Sequence, residues 1–219
     1  MEMDVLRSYI PLYNEALLLT FKIGVLGILT AFAIGLSGAA AVYFKVPVLK
    51  RILQVYIELF RNTPLLVQLF FIYFALPKLG IRISAETCGV LGLGLIGGAY
   101  MIETVRSGLE SIDVVQTESA LSLGMTRWQV FRSIILPQAF SVSFPGIMAN
   151  VIFLLKETSV FSTISLMDLM FTAKDLIGMY AKTIECLFLL VAYYLIMLLP
   201  ISILGSIIER RVRYAQFGD

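Results

Sequence analysis

Five long runs of apolar side chains leave this backbone few options. Residues 16–44, 65–76, 88–102, 140–155 and 184–208 carry very little that needs water. A helix crosses the hydrocarbon core of a bilayer with about 20 apolar residues. Of the 219 residues, 59% are hydrophobic and only 15% charged, where a soluble domain typically has about a quarter charged. The expected fold is therefore all-α: a polytopic membrane protein forming one transmembrane domain over 1–219, with five helices at about 16–44, 54–77, 86–110, 140–157 and 184–208.

The first span carries Gly24, Gly27, Gly35 and Gly38, and the third carries Gly89, Gly92, Gly94, Gly97 and Gly98. Small residues let helices approach closely in lipid, where packing drives association, so both spans read as seams. Lys22 is placed to snorkel at the outer end. Between spans one and two, Lys45, Pro47, Lys50 and Arg51 form a short basic loop. Lys50, Gln54, Glu58 and Arg61 then share one helical face. Asn62-Thr63-Pro64 follows, and a break or kink is expected near the proline. Residues 77–86 read as a turn-rich loop, and 159–183 as an external loop with a short helix.

One polar stretch, 118–137, interrupts the apolar pattern and must face water or a partner. It reads Glu118-Ser119-Ala120, three residues, Gly124, nine residues, Ile134, one residue, Leu136-Pro137. Gly124 permits a positive φ, Thr126 can cap a second short helix, and that helix is expected to end near Leu136-Pro137. Trp128 and Phe131 supply an anchor face, with Arg127 and Arg132 as a charged rim.

That spacing resembles the EAA signature of ABC-importer permeases, departing from it only at Ser119. The stretches ELFRNTPLLVQLFFIYF, GAYMIETVRSGLESI and LKETSVFSTISLMDL are similar to the polar amino-acid permease family, which includes histidine and glutamine importers. The resemblance implies a type I ABC-importer transmembrane domain. It also implies that Glu118, Ser119, Ala120, Gly124, Arg127, Trp128, Arg132 and Pro137 dock on an ABC ATPase subunit dimer that binds the ATP and magnesium. The further partners it implies are a second permease chain (identical or closely related), an extracytoplasmic solute-binding protein and an amino-acid substrate, in a prokaryotic inner membrane. Basic amino acids such as arginine, lysine or histidine are the expected cargo, with glutamine or glutamate as the alternative.

A charge within the bilayer is costly and usually faces a cavity or partner. Candidates for the substrate path are Glu103, Lys156, Glu157 and Arg61, with Gln68 and Asn150 as uncharged companions. Two readings stand for Glu103: a carboxylate that meets a cationic cargo, or an intrahelical pair with Arg106. Arg61 either pairs with Glu58 or serves a gate. Lys156 and Glu157 either line the outer entrance or anchor the span to headgroups.

Lysine and arginine bias sets orientation. One side holds Lys45, Lys50, Arg51, Arg127, Arg132, Arg210, Arg211 and Arg213, and the other only Arg7, Lys78, Arg82, Lys174 and Lys182. The segment 118–137 and the C-terminus are thus expected in the cytoplasm, with the N-terminus outside. No basic leader precedes the first span, where Glu2 and Asp4 stand, so no removable signal peptide is expected. The chain has no histidine and no Gly-rich loop ending in Lys-Ser/Thr, so no cofactor, metal site or ATP hydrolysis of its own is expected. Cys88 and Cys186 lie in apolar segments and read as small hydrophobes. A net charge of +2 is too small to suggest nucleic acid. The rival class, a channel or secondary transporter, would show repeated discontinuous helices, and no internal repeat is visible.

Overall fold

A computed structural model describes residues 3–44 and 46–217, with side chains described from 4 to 212 apart from 45. Glu2, Lys45 and the side chain of Arg213, used above for topology, lie outside the described residues. Helix α1 (Met3–Tyr43) is 41 residues long, about 60 Å by the helical rise. It therefore begins well before the span expected at 16–44. The reason is a second apolar stripe: Leu6, Tyr9, Tyr13 and Ala16 recur at helical spacing and are buried against the later helices.

Helix α2 (Pro47–Arg61) and helix α3 (Leu65–Phe70) are separated by Asn62, Thr63 and Pro64. The two helices are bent by 102°. The break expected near Pro64 within 54–77 is thus a full corner between the helical stretches Pro47–Arg61 and Leu65–Leu79. Pro64 offers no N–H and disfavours helix at Thr63. Side chains then bond to the last carbonyls of α2, of which Glu58 O also accepts the Asn62 N–H. Asn62 Nδ2 donates to Glu58 O at 2.7 Å, Thr63 Oγ1 to Leu59 O at 2.7 Å, and Gln68 Nε2 to Phe60 O at 3.0 Å.

After α3 comes a π-helical turn, Phe71–Ala75, and then a 3-10 turn, Leu76–Leu79. Helix α4 (Ala85–Glu110) starts at Ser84, whose Oγ accepts from Thr87 N at 3.1 Å. It is the central helix. Its glycines face side chains of α1, as those of α1 face side chains of α4: a Cβ at Gly97 would stand 2.7 Å from Ala31 Cβ, one at Gly94 2.6 Å from Thr30, and one at Gly35 would overlap Met101 Cβ. Only a hydrogen at these positions allows the two helices to lie so close, which is the seam the glycine spacing implies.

Helix α5 (Val114–Ser122) and the single-turn helix α6 (Arg127–Val130) form the polar segment. A π-helical turn, Phe131–Ile135, joins α6 without interruption to helix α7 (Leu136–Glu157). The helix expected to stop at Leu136-Pro137 therefore runs on into the fourth span. In the π turn the Leu136 N–H bonds back to Phe131 O. That wider turn relieves the crowding a proline brings to an α-helix. The same device precedes Pro77, where Leu76 N–H reaches Phe71 O.

A 3-10 turn, Thr158–Ile164, leads to helix α8 (Leu169–Tyr180), and α9 (Thr183–Phe217) closes the chain. Among the described residues four helices are long and apolar enough to cross a membrane, or five if the bent α2–α3 pair counts as one. The main core lies between α1, α4 and α7 around Ile23, Leu93, Met101 and Leu154.

Asp168 caps α8: its Oδ1 accepts from Phe171 N at 2.9 Å, while Oδ2 is buried without a partner. Burial lifts this carboxyl to about 7 from 3.8, against the opposing pull of backbone N–H groups and Lys174. The folded state thus favours the neutral acid, and its contribution to stability is lost as pH rises from about 4 through about 7. Asp168→Asn should flatten this dependence. Its melting temperature should fall less than that of the native chain between pH 5 and 7; parallel pH profiles for the two proteins would contradict the buried-acid assignment.

Candidate functional site: a charged cavity and an exposed helical tip

The polar face of α2 and the last turns of α4 enclose a cavity of about 720 Å³. Lys50, Gln54, Glu58 and Arg61 line it from α2, and Tyr100, Glu103, Arg106 and Glu110 from α4. The amphipathic spacing of α2 explains the placement. Val48, Ile52, Val55 and Leu59 occupy its opposite face and are exposed. The cavity reaches down to Val114 and Thr117 at the start of α5.

Arg61 forms an ion pair with Glu103 across the two helices. Its guanidinium also lies 5.2 Å from the centre of the Tyr100 ring, a cation–π arrangement. The pair with Glu58 considered above is not the one formed. Glu103 faces Arg106 as well, at a longer 3.9 Å, while Arg106 bonds Glu110 at 2.7 Å. The intrahelical Glu103–Arg106 pair thus exists as the weaker half of a shared arrangement.

A second cavity, about 360 Å³, shares Arg61, Asn62 and Tyr100 with the first. Its other walls are Thr63 to Leu66, Ile96, Phe153, Glu157 and Val160. Arg61 and Tyr100 therefore stand at the junction of two spaces, with Glu157 in the wall of the second.

The structure gathers Arg61, Glu103 and Glu157 in the walls of these two cavities and leaves the other candidates elsewhere. Gln68 is buried and lines neither cavity; it holds the corner between α2 and α3 through Phe60 O and Thr63 O. Asn150 lines neither and donates to Thr104 Oγ1 at 2.9 Å, tying α7 to α4. Lys156 is exposed and lines neither. Tyr100 was not singled out from the sequence. It stands three residues before Glu103 and so on the same helical face, which was the available signal.

The second feature is the tip formed by α5 and α6. Asp113 Oδ1 caps α5 through Val115 N at 2.9 Å, so Glu118, Ser119 and Ala120 sit inside a helix that starts before them. Gly124 has φ 82°. Gly124 N–H bonds to Leu121 O and Met125 N–H to Ala120 O, closing α5 with a glycine in the left-handed region. Thr126 and Gln129 then form a reciprocal capping box on α6: Gln129 N donates to Thr126 Oγ1 at 3.3 Å and Thr126 N to Gln129 Oε1 at 2.8 Å. Ala120, Val130, Ile135 and Ala139 are buried beneath, packed with Leu109 at the end of α4.

Glu118, Ser119, Arg127, Arg132 and Pro137 are exposed on this tip. Leu123 is 84% and Trp128 62% exposed, which marks the apolar surface that nothing among the described residues covers. Trp128 stacks on Phe131 at 5.8 Å, but Phe131 itself leans on Tyr43 and Phe44 at the end of α1. Of the two expected anchor residues, only Trp128 faces outward. Among the described residues no cluster of acidic or cysteine side chains could hold a metal ion.

The YxeN protein of Bacillus subtilis (strain 168) is 36% identical over 210 residues, covering 94% of each chain. The glutamine transport system permease protein GlnP of Escherichia coli (strain K12) is 34% identical over 206 residues, 93% of this chain and 94% of that one. A solved structure described as an amino acid ABC transporter with histidines superposes with a TM-score of 0.89 at 34% identity, covering 96% of this chain and 99% of that one. Residues 19–214 match the family of binding-protein-dependent transport system inner membrane components, and with these likenesses along nearly the whole chain this protein belongs to that family.

Proposed function

We propose that this chain is the permease subunit of an ATP-driven importer for polar amino acids, in which the tip at 118–137 docks on a separate ATPase subunit. The observation that carries this reading is the tip itself. It is a helix–turn–helix fixed by a left-handed glycine and a capping box, with an uncovered Trp128 and Leu123, joined to α7 with no flexible link. A push on that surface would move the span as a rigid body and shift an equilibrium between two orientations of the cavity. A second permease chain, an extracytoplasmic binding protein and an ATPase pair complete the assembly in this reading. The N-terminus lies outside and the tip inside, following the lysine and arginine bias.

The charged junction favours a zwitterion as cargo. Arg61 offers a partner to a carboxylate, and Glu157 offers one to an ammonium group, in the wall of one cavity. A neutral polar amino acid such as glutamine, the cargo named for the Escherichia coli relative, uses both and needs no further charge. A basic amino acid is the second reading, favoured by the carboxylate of Glu103 in the adjoining cavity and by the histidines named for the solved transporter. The test is to purify the chain with its ATPase subunit and to measure ATP hydrolysis and uptake in proteoliposomes across glutamine, glutamate, histidine and arginine. Amino-acid-stimulated hydrolysis in the complex supports the importer. Ion flux through the isolated chain would support a channel instead.

A further inference from the structure

We infer that Glu103 sets the charge selectivity of the path by neutralising Arg61, and that without its charge the path would accept acidic amino acids. This rests on the functional reading above and adds the residue that decides between cargo classes. The walls of the larger cavity carry Lys50, Arg61 and Arg106 against Glu58, Glu103 and Glu110, so cations and anions balance. Arg61 is the cation that lines both cavities. Its guanidinium is already engaged on one side by Glu103 and on the other by the face of Tyr100.

A second carboxylate on the cargo's side chain would need a further cation, and the wall of the smaller cavity holds none besides Arg61 among the described residues; Lys50, in the larger cavity, stands about three helical turns away along α2. The like charge of Glu103 would stand beside that second carboxylate. A carboxylate that gives up water without gaining a partner is disfavoured, so an acidic cargo is rejected at this point. In this role Glu103 is a positioning residue: it acts through Arg61 and need not touch the cargo.

Glu103→Gln keeps the shape and can still accept a hydrogen bond from Arg61, but it removes the charge. The guanidinium then carries an unmatched positive charge at the junction. Equilibrium binding of L-glutamine and L-glutamate to the detergent-solubilised permease–ATPase complex reads the effect. In Glu103→Gln the ratio of glutamate to glutamine affinity should rise on the order of tenfold, a difference of about 1.4 kcal/mol. In the double variant Glu103→Gln/Arg61→Gln the charge balance is restored, and the gain for glutamate should vanish.

A general loss of fold or packing would weaken both ligands alike and could not be reversed by a second substitution at the partner. If the native complex binds glutamine but Glu103→Gln shows no gain for glutamate, or the double variant keeps it, the inference fails and the importer reading stands. If the native complex binds and transports no amino acid, the importer reading fails and carries this inference with it.

Discussion

Gly108→Val is expected to leave little folded protein. Gly108 lies in α4 where α7 crosses it, and a Cβ there would stand 2.7 Å from the carbonyl oxygen of Ala139, besides overlapping Ser143 Oγ. Ser143 could turn away only by giving up its bond to Thr104 O at 3.3 Å. The Ala139 carbonyl is backbone and cannot turn. The helices must therefore separate, and with them the neighbouring contacts, where Gly146 meets Thr104 and Asn150 bonds to it. Overpacking of a well-filled core usually costs about 1–3 kcal/mol and occasionally more. A clash against backbone belongs at the upper end, a large share of a typical margin of about 5–15 kcal/mol. The monodisperse yield on size-exclusion chromatography and the melting temperature read the effect. Gly178→Ala is the control: it lies in α8 with nothing within 4 Å of a new Cβ. There alanine should be neutral or stabilising by up to about 1 kcal/mol, from helix propensity. Native-like behaviour of Gly108→Val would show that α4 and α7 do not cross as closely as described.

The second large effect is expected at the tip. Trp128→Ala combined with Leu123→Ser should abolish stable association with the ATPase subunit while the membrane helices remain folded. Both side chains are mostly exposed, so their loss opens no cavity in the chain. An aromatic anchor at the centre of an interface typically contributes 2 kcal/mol or more, so truncating it should weaken binding by roughly 30-fold or more. Co-elution of the two subunits, with the melting temperature of the permease alone as control, separates docking from folding. Val130 makes a useful contrast. It is 1% exposed beneath the same tip, so Val130→Ala should lower stability before it affects docking. Co-elution of the double tip variant at native levels would remove Trp128 and Leu123 from the interface.

The turn at Gly124 and the cap at Thr126 were readable because their determinants are local. A glycine after α5, and a threonine three residues ahead of a glutamine, satisfy backbone groups within one turn of themselves. The glycine seam of α1 and α4 was legible for a related reason: spacing shows which face is small, whatever packs against it. The proline at 137 was misleading. The rule that helices end before proline assumes α geometry throughout, and the π turn at Phe131–Ile135 escapes it by taking the Leu136 N–H back five residues. The corner at Pro64 was placed correctly but its size was not. Across the 102° bend Gln68 reaches back to the carbonyls of Phe60 and Thr63, a partnership visible only once both helices are in place.

Sequence by itself determined that the chain is helical and membrane-spanning, where its polar tip lies and how that tip is capped, because hydrophobicity, helical period and capping act over a few residues. It also named Arg61, Glu103 and Glu157, which line the two cavities, among its candidates. Only the tertiary structure decided which of them meet. Arg61 had Glu58 within one helical turn, yet it pairs with Glu103 on another helix. Gln68 and Asn150 look like path residues in a linear reading, yet each spends its amide on holding helices together. A polar side chain in an apolar span must find a partner, but the strength of that need says nothing of where the partner is. The 102° corner after α2 lets the polar face of α2 meet the end of α4, and that juxtaposition gathers separate charges around one cavity.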